Sequence, residues 1–427
     1  MSSAPIPAPS STLPEHPGDT FNTPNATQHR APRWQFGLGR QNGLAFWALL
    51  MLEASFGSYF ALWPLWIEDR GAAVWLVGLL IGMGGILRLA GLLPSAWLVR
   101  RFGLRTVFVS ARLIAAAGIF TAALVPSWPW LIPAFIGMAI GDVAFPVAAT
   151  FVSRNGGEQR VRAFTMVFTF GPSIALLATP LLSGVLVKFW GLRAPFVVAA
   201  IFSLLSAWFF FRTQSAAAPA DDHASGSGYA ALLRIPGLRM LFGIQFATFF
   251  AIGLGTSLLP IFLHEAHGYR EAIIPPLTAL TAVGSIVLST VIARSKRLSA
   301  NPLRSVAGAV FLAAVSFALF LSAGLLPLAL LAMTLRGGFF VAWPLYNAVL
   351  GERSPDALRP HTYALGEILA GTGFVIAPIV AGQLYGIDSN LPIILAVAML
   401  VPLIGIIWTL SRHSHTGQSA TVAPTSG

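Results

Sequence analysis

Twelve predominantly apolar stretches recur along this chain, each near the ~20 residues that a helix needs to cross the ~30 Å hydrocarbon core of a bilayer. They run Leu44–Trp66, Val74–Val99, Val107–Val125, Trp128–Val152, Phe164–Val187 and Pro195–Phe211, then Met240–Leu263, Ile273–Ala293, Leu303–Ala323, Leu325–Leu350, Tyr363–Tyr385 and Leu391–Leu410. Only 10% of the residues are charged, against about a quarter in a soluble domain. A soluble chain this long needs a polar shell, and these residues cannot build one. The expectation is an all-α membrane protein with twelve transmembrane helices.

The basic residues give the chain a direction. Links on one side of the apolar segments carry Arg40, Arg100, Arg101, Arg105, Arg154, Arg162, Arg212, Arg234, Arg294, Arg297, Arg353 and Arg412, among others. The opposite links carry only Arg70, Lys188, Arg193 and Arg270. The positive-inside rule puts the first set in the cytoplasm, with both termini. Trp63, Trp66, Trp75, Trp128, Trp130 and Trp190 then fall near the outer interface, where indoles are enriched. The net charge of +11 sits in short links rather than on one face, so nucleic acid is not an expected partner.

Two halves repeat one pattern. Gly57 and Pro64 match Gly253 and Pro260, Pro146 matches Pro344, and "TPLLSG" at Thr179–Gly184 matches "APIVAG" at Ala377–Gly382. The offset stays near two hundred residues, and three matches at a constant offset point to duplication. An even six segments per half keeps the two repeats parallel. The divisions expected are a disordered cytoplasmic tail over 1–40, a six-helix bundle over 41–213, a cytoplasmic linker over 214–234, a second bundle over 235–411 and a cytoplasmic tail over 412–427.

Two parallel six-helix repeats joined by a basic-side linker resemble the major facilitator superfamily, from Gln41 to about Leu410. "AWLVRRFGLRTVF" is similar to that family's loop between helices two and three, with Leu98, Arg101, Gly103 and Arg105 in place. "GDVAFPVAATFVSRNGGEQRVRAF" resembles its fourth helix and basic exit, and "GLRAPF" its entry to helix six. The resemblance implies alternating access, a central cavity lined by helices one, four, seven and ten, and a cytoplasmic gate at that first loop. Arg100 stands where the family has an aspartate that pairs charges across the gate. The gate residues expected are Arg100, Arg101, Gly103 and Arg105, with Glu367 on helix eleven as a substitute acid. The family's exporter pattern in helix five is kept in part, at Pro180 and Gly184. Gly171, Pro172, Pro180, Gly184, Pro378 and Gly382 are expected to kink helices and pack them closely.

Charged residues inside such segments carry the functional signal, because each costs at least ~2.5–3.5 kcal/mol at mid-bilayer. Glu53 lies nine residues into its segment, ~14 Å deep, and Arg88 and Asp142 each lie twelve residues before a basic link, ~18 Å deep. Glu53 and Asp142 are expected to bind protons, with Arg88 as charge partner to one of them. The three sum to one negative charge. Arg112 reads as shallower, a snorkelling or loop-pairing residue on the basic side. Arg336 has no acid at its own depth, which suits contact with a solute. Tyr59, Trp63, Phe145, Arg336, Phe340, Trp343 and Tyr346 are the expected cavity residues.

Absences narrow the chemistry. The chain has no cysteine, which removes thiolate metal sites and cysteine nucleophiles. Neither Lys188 nor Lys296 follows a phosphate-binding glycine loop, and all eight histidines lie outside the segment interiors. The expectation is a monomeric, multi-pass protein of a prokaryotic cytoplasmic membrane, not an enzyme, without cofactor or metal. It would move a small organic solute with protons, by export in preference to uptake of an organic anion or metabolite. A non-transporting sensor is the alternative class.

Overall fold

The computed structural model describes residues 33–155, 160–214, 231–355 and 358–419. Among the described residues twelve elements are long and apolar enough to cross a membrane. They are α1 Gly39–Asp69, α2 Val74–Leu92, α3 Leu104–Leu124, α4 Trp128–Asn155, α5 Arg162–Trp190 and α6 Arg193–Phe211. The second half follows as α7 Gly237–Glu265, α8 Ile274–Arg294, α9 Pro302–Phe320, α10 Leu326–Arg353, α11 His361–Tyr385 and α12 Leu391–Arg412. No strand occurs among the described residues. The expected all-α architecture is therefore observed, and the protein is a multi-pass integral membrane protein.

Prolines decide where these elements break. Proline lacks the N–H for an intrahelical bond, and its ring crowds the carbonyl four residues back. In α1 a helix ends at Tyr59, a tight turn covers Phe60–Leu62, and Trp63–Asp69 resumes with Pro64 at its start. In α7 the same interruption separates Pro236–Ser257 from Leu259–Glu265, with Pro260 at the restart. In α5 a wide turn over Met166–Phe170 precedes Gly171 and Pro172.

Two expected boundaries move. Residues 33–40, assigned to the tail, are ordered because apolar rings fold back onto α1. Phe36 packs on Phe46 at 4.8 Å, and the Trp47 indole donates to the Trp34 carbonyl at 3.1 Å. The last helix continues past Arg412 to Ser419. The rest of the N-terminal tail (1–32), most of the linker (215–230) and the final residues (420–427) lie outside the described residues.

The first loop turns on one glycine. Gly103 ends the helix Ser95–Phe102 and starts α3 with φ of +79° and ψ of 157°, a region essentially confined to glycine that costs other residues ~1–3 kcal/mol. Arg105 lies over the Phe211 ring at 4.7 Å, and Arg101 over Phe102 at 5.7 Å. Gly103→Ala is therefore expected to lower the thermal midpoint in detergent measurably, whereas a substitution at exposed Gly405, which meets nothing within 4 Å, should not.

The halves meet through small residues at the end away from the basic loops. On α11, Gly382 approaches α2 so closely that a Cβ would lie 2.8 Å from the Trp75 carbonyl oxygen and 3.2 Å from the Gly78 Cα. On α5, a Cβ at Gly184 would lie 2.7 Å from the carbonyl oxygen of Ala272, beside Pro276 of α8. Gly184 and Gly382 are the matched glycines of the repeated motif, and each meets the opposite half. Pro180 and Pro378 lie inside their helices, and buried Gly171 packs on Phe46.

Candidate functional site

Helices α4 and α10 are each interrupted near mid-length, and a charged residue occupies each interruption. In α4, helix Ile132–Gly141 gives way to Ala144–Asn155 at Asp142. Pro146 cannot donate to the Asp142 carbonyl, so the Phe145 amide takes that oxygen at 3.2 Å in a tighter turn. In α10, helix Leu326–Leu335 gives way to Gly338–Arg353 at Arg336 and Gly337. Asp142 thus precedes a helix N-terminus and Arg336 follows a helix C-terminus. Each sign matches that helix end and opposes the other end it touches, since Asp142 also caps the C-terminus of Ile132–Gly141 and Arg336 also precedes the N-terminus at Gly338.

Asp142 has a partner from α2. Arg88 Nε lies 3.2 Å from Asp142 Oδ2, so the structure chooses Asp142 over Glu53. Glu53 has no basic group within 4 Å among the described residues, but Asp142, Arg112 and Arg88 all lie within coulombic range of it. The Tyr59 hydroxyl shares that field.

Arg112 is a correction. It is 5% exposed, beneath Gly141, whose Cβ position would lie 3.4 Å from the guanidinium. Its Nε has no hydrogen-bond partner, and its charge reaches Asp142 and Glu53. Arg112 does not snorkel; it completes a quartet of two arginines and two acids on α1 to α4. With both acids ionised the quartet is neutral, not negative as three residues suggested. One proton leaves it at plus one.

The ion pair faces a cleft between the halves. Its side chains are 59% exposed at Arg88 and 40% at Asp142. On α2, Gly78, Gly82 and Gly85 face α11, while Gly84 and Gly91 face α4 at Phe135 and Ala139. Leu79, Ile86 and Leu93 form the outward stripe. At 3.6 residues per turn, Arg88 falls between the two packed faces, opposite that stripe. Its exposure is to the interior of the molecule.

The second half has aromatic residues where the first has acids. Adding the repeat offset carries Glu53 to Phe249 and Asp142 to Phe340. Phe340 and Phe145 are exposed, at 45% and 37%. Trp343 is half-buried, against Phe249 at 4.7 Å and stacked on Phe374 at 6.0 Å. Three other expected cavity residues are core instead. Trp63 packs on Phe135 at 5.0 Å, and Tyr346 is fully buried with its hydroxyl 2.8 Å from Thr248 Oγ1. Arg336 is 7% exposed, with Nη1 3.8 Å from Met333 Sδ and Nε unpartnered. Tyr59 is half-buried and stacks on Phe196 at 5.7 Å.

Glu367 lies inside the second half. Its Oε1 accepts from Trp343 Nε1 at 2.7 Å and from Asn347 Nδ2 at 3.0 Å. Arg100, Arg101 and Arg105 all lie at the first loop, Arg100 and Arg101 exposed. Among the described residues no group of three or more metal-ligating side chains comes together.

The family model of the Major Facilitator Superfamily matches residues 45–365. An uncharacterized MFS-type transporter of Salmonella typhi, YcaD, is 26% identical over 222 residues, covering 50% of this chain and 56% of the relative. Its counterpart in Salmonella newport (strain SL254) matches equally. The match thus spans little more than half the length of these curated relatives. Among solved structures, the D323A mutant of the nucleoside transporter NupG superposes with a TM-score of 0.74 at 15% identity, over 86% of this chain and 98% of that one. A POT family transporter in complex with a thioalcohol-conjugated peptide gives 0.70 at 15% identity, over 88% and 96%. At such identities the likeness is one of fold.

Proposed function

This chain belongs to the Major Facilitator Superfamily, and from that premise we propose that it is a secondary active transporter exchanging protons for a small organic solute. The single observation that carries the proton role is the Arg88–Asp142 pair, 3.2 Å apart and open to the cleft, inside a quartet that is neutral when deprotonated. A charge-balanced group at membrane depth avoids the cost of an isolated ion. A proton on Asp142 releases Arg88, and the quartet then carries one positive charge. That change is what must alter the balance between two arrangements of the halves.

Alternating access follows from where the halves touch. Glycine contacts at α2–α11 and α5–α8 hold them together at the end away from the basic loops, while Arg88, Asp142 and Glu367 remain exposed within the cleft. Rocking about those contacts exposes the mid-depth site to either side in turn. The basic loops are assigned to the cytoplasm by the positive-inside rule. The direction proposed is export, supported by Pro180 and Gly184 in α5. The location proposed is a bacterial cytoplasmic membrane, with the protein acting as a monomer and without catalytic chemistry.

The test is a thermal-shift screen of small solutes on purified protein, then flux of each hit in proteoliposomes with and without a pH gradient. Uphill movement that needs the gradient supports the proposal. Ligand binding without any flux would favour a sensor, and flux indifferent to the gradient would leave a facilitator.

A further inference from the structure

Glu367 is an acid on a membrane-spanning helix that the proton account does not use. It lies on α11 at the face opposite the lipid. Gly366 and Gly373 of that helix pack on α7 at Gln245 and Phe250, and Val375, Pro378 and Gly382 pack on α2. Ile368 and Ile376 point outward. Glu367 falls between the α7 and α2 faces, toward the cleft, and is exposed there.

Its hydrogen bonds are one-sided. Trp343 Nε1 and Asn347 Nδ2 both donate to Oε1, and Oε2 accepts nothing among the described residues. Among the described residues no lysine, arginine or histidine comes within the 4 Å of an ion pair. Beside it, Asn347 Oδ1 is buried without a donor. A buried acceptor left unpaired costs ~1–3 kcal/mol. The site therefore offers a negative charge and one free acceptor, Glu367 Oε2, with the unpaired Asn347 Oδ1 enclosed behind it. A ligand that fits must bring N–H donors and a positive charge.

The walls define the rest of the ligand. Trp343 and Phe374 stack at 6.0 Å and 22°, Phe339 meets Phe374 at 5.4 Å, and Phe340 beside it is 45% exposed. Such faces attract a cation as well as an apolar body. Arg336, the other basic group at mid-depth in this half, is 7% exposed and forms no ion pair among the described residues. It presents little surface to an anion.

We propose that Glu367, Asn347 and the Trp343–Phe374 wall form a binding site for a protonated amine carrying an aromatic or apolar body. This deepens the transporter reading, on which it rests for the ligand's passage, but it does not depend on proton coupling. It also gives Glu367 a part different from the gate acid that the family resemblance suggested. In the deprotonated quartet there is no net charge to repel the amine, and after protonation there is one positive charge facing it across the cleft. Amine and proton then oppose each other, as exchange requires.

The experiment uses the full chain in detergent with three probes of one shape: phenylbutylamine, phenylbutanol and phenylbutyrate. Isothermal titration should show the amine bound about tenfold or more tightly than the alcohol or the acid, the range of a charge-assisted hydrogen bond. Glu367→Gln keeps an acceptor for Trp343 and Asn347, so it should stay folded while losing that preference. Glu367→Asp should keep part of it, and Asp142→Asn, which leaves the quartet at plus one as a bound proton does, should lower it without abolishing it. Complete loss in the Asp142 variant with an unchanged preference in Glu367→Gln would instead mean that the amine binds at the quartet, which overturns the assignment. Equal binding of the three probes, tightest binding of the acid, or an unchanged preference in Glu367→Gln overturns it as well. Failure of pH-driven flux with the amine preference intact would count against the proton role alone.

Discussion

Asp142→Asn is expected to reduce proton-driven solute movement to the level of empty proteoliposomes while leaving the folded yield near that of the unmodified chain. The two parts of this result have different physical origins. An amide cannot release a proton, so the charge change that drives the cycle is lost outright. Its oxygen can still accept from Arg88 Nε, now 3.2 Å from Asp142 Oδ2, so the helix contact survives. Exposed ion pairs are worth ~0–1 kcal/mol, and these side chains are 59% and 40% exposed. The thermal midpoint should therefore move little. Glu53→Gln should also weaken coupling, because Glu53 lies in the same field. Arg112→Leu differs from both. It removes a buried charge that faces two acids and should raise the pH at which transport falls off. Flux assays across a pH series check all three.

Gly78→Val is expected to abolish transport by a different route and to lower stability. A Cβ at Gly78 would lie 2.9 Å from the Gly382 Cα and crowd the Pro378 carbonyl oxygen. Both neighbours are backbone, so neither can swing away. Overpacking of this kind costs ~1–3 kcal/mol, and the strain falls on the contact that holds the halves together. Gly184→Val should act likewise at α5–α8, because Ala272 presents its carbonyl oxygen there. Gly405→Val is the control, since Gly405 meets nothing within 4 Å. The chain contains no cysteine, so single cysteines introduced in the cleft report its opening by alkylation without background. Both valine variants should change that labelling, and the control should not.

Most of the architecture was legible because its signals are one-dimensional. Apolar length marks a span, and arginine asymmetry marks a side. Depth is also one-dimensional, and counting residues brought Glu53, Arg88 and Asp142 to one level. What was not legible is azimuth. A helix in a bilayer is apolar toward lipid and apolar toward its neighbours, so periodicity does not say which face is buried. That is why Arg112 was read as a snorkelling or loop-pairing residue when it is enclosed. It is also why Trp63, Tyr346 and Arg336 were placed in a cavity when they are core. Glu367 failed for another reason. Its partners Trp343 and Asn347 sit on a different helix, and only their meeting shows that one carboxylate oxygen is taken twice and the other left free. The α10 break at Arg336 carried no proline at the right distance, and Gly337–Gly338 alone did not announce it.

The account stands or falls on whether the quartet carries protons. The direct measurement is internal pH, read by trapped pyranine, in proteoliposomes given an outward or inward gradient of a solute identified by thermal shift. The account predicts proton movement opposite to the solute in the unmodified protein, and none with Asp142→Asn despite intact solute binding. Solute flux with no pH change in the unmodified protein, or an equal pH change in Asp142→Asn, would contradict it.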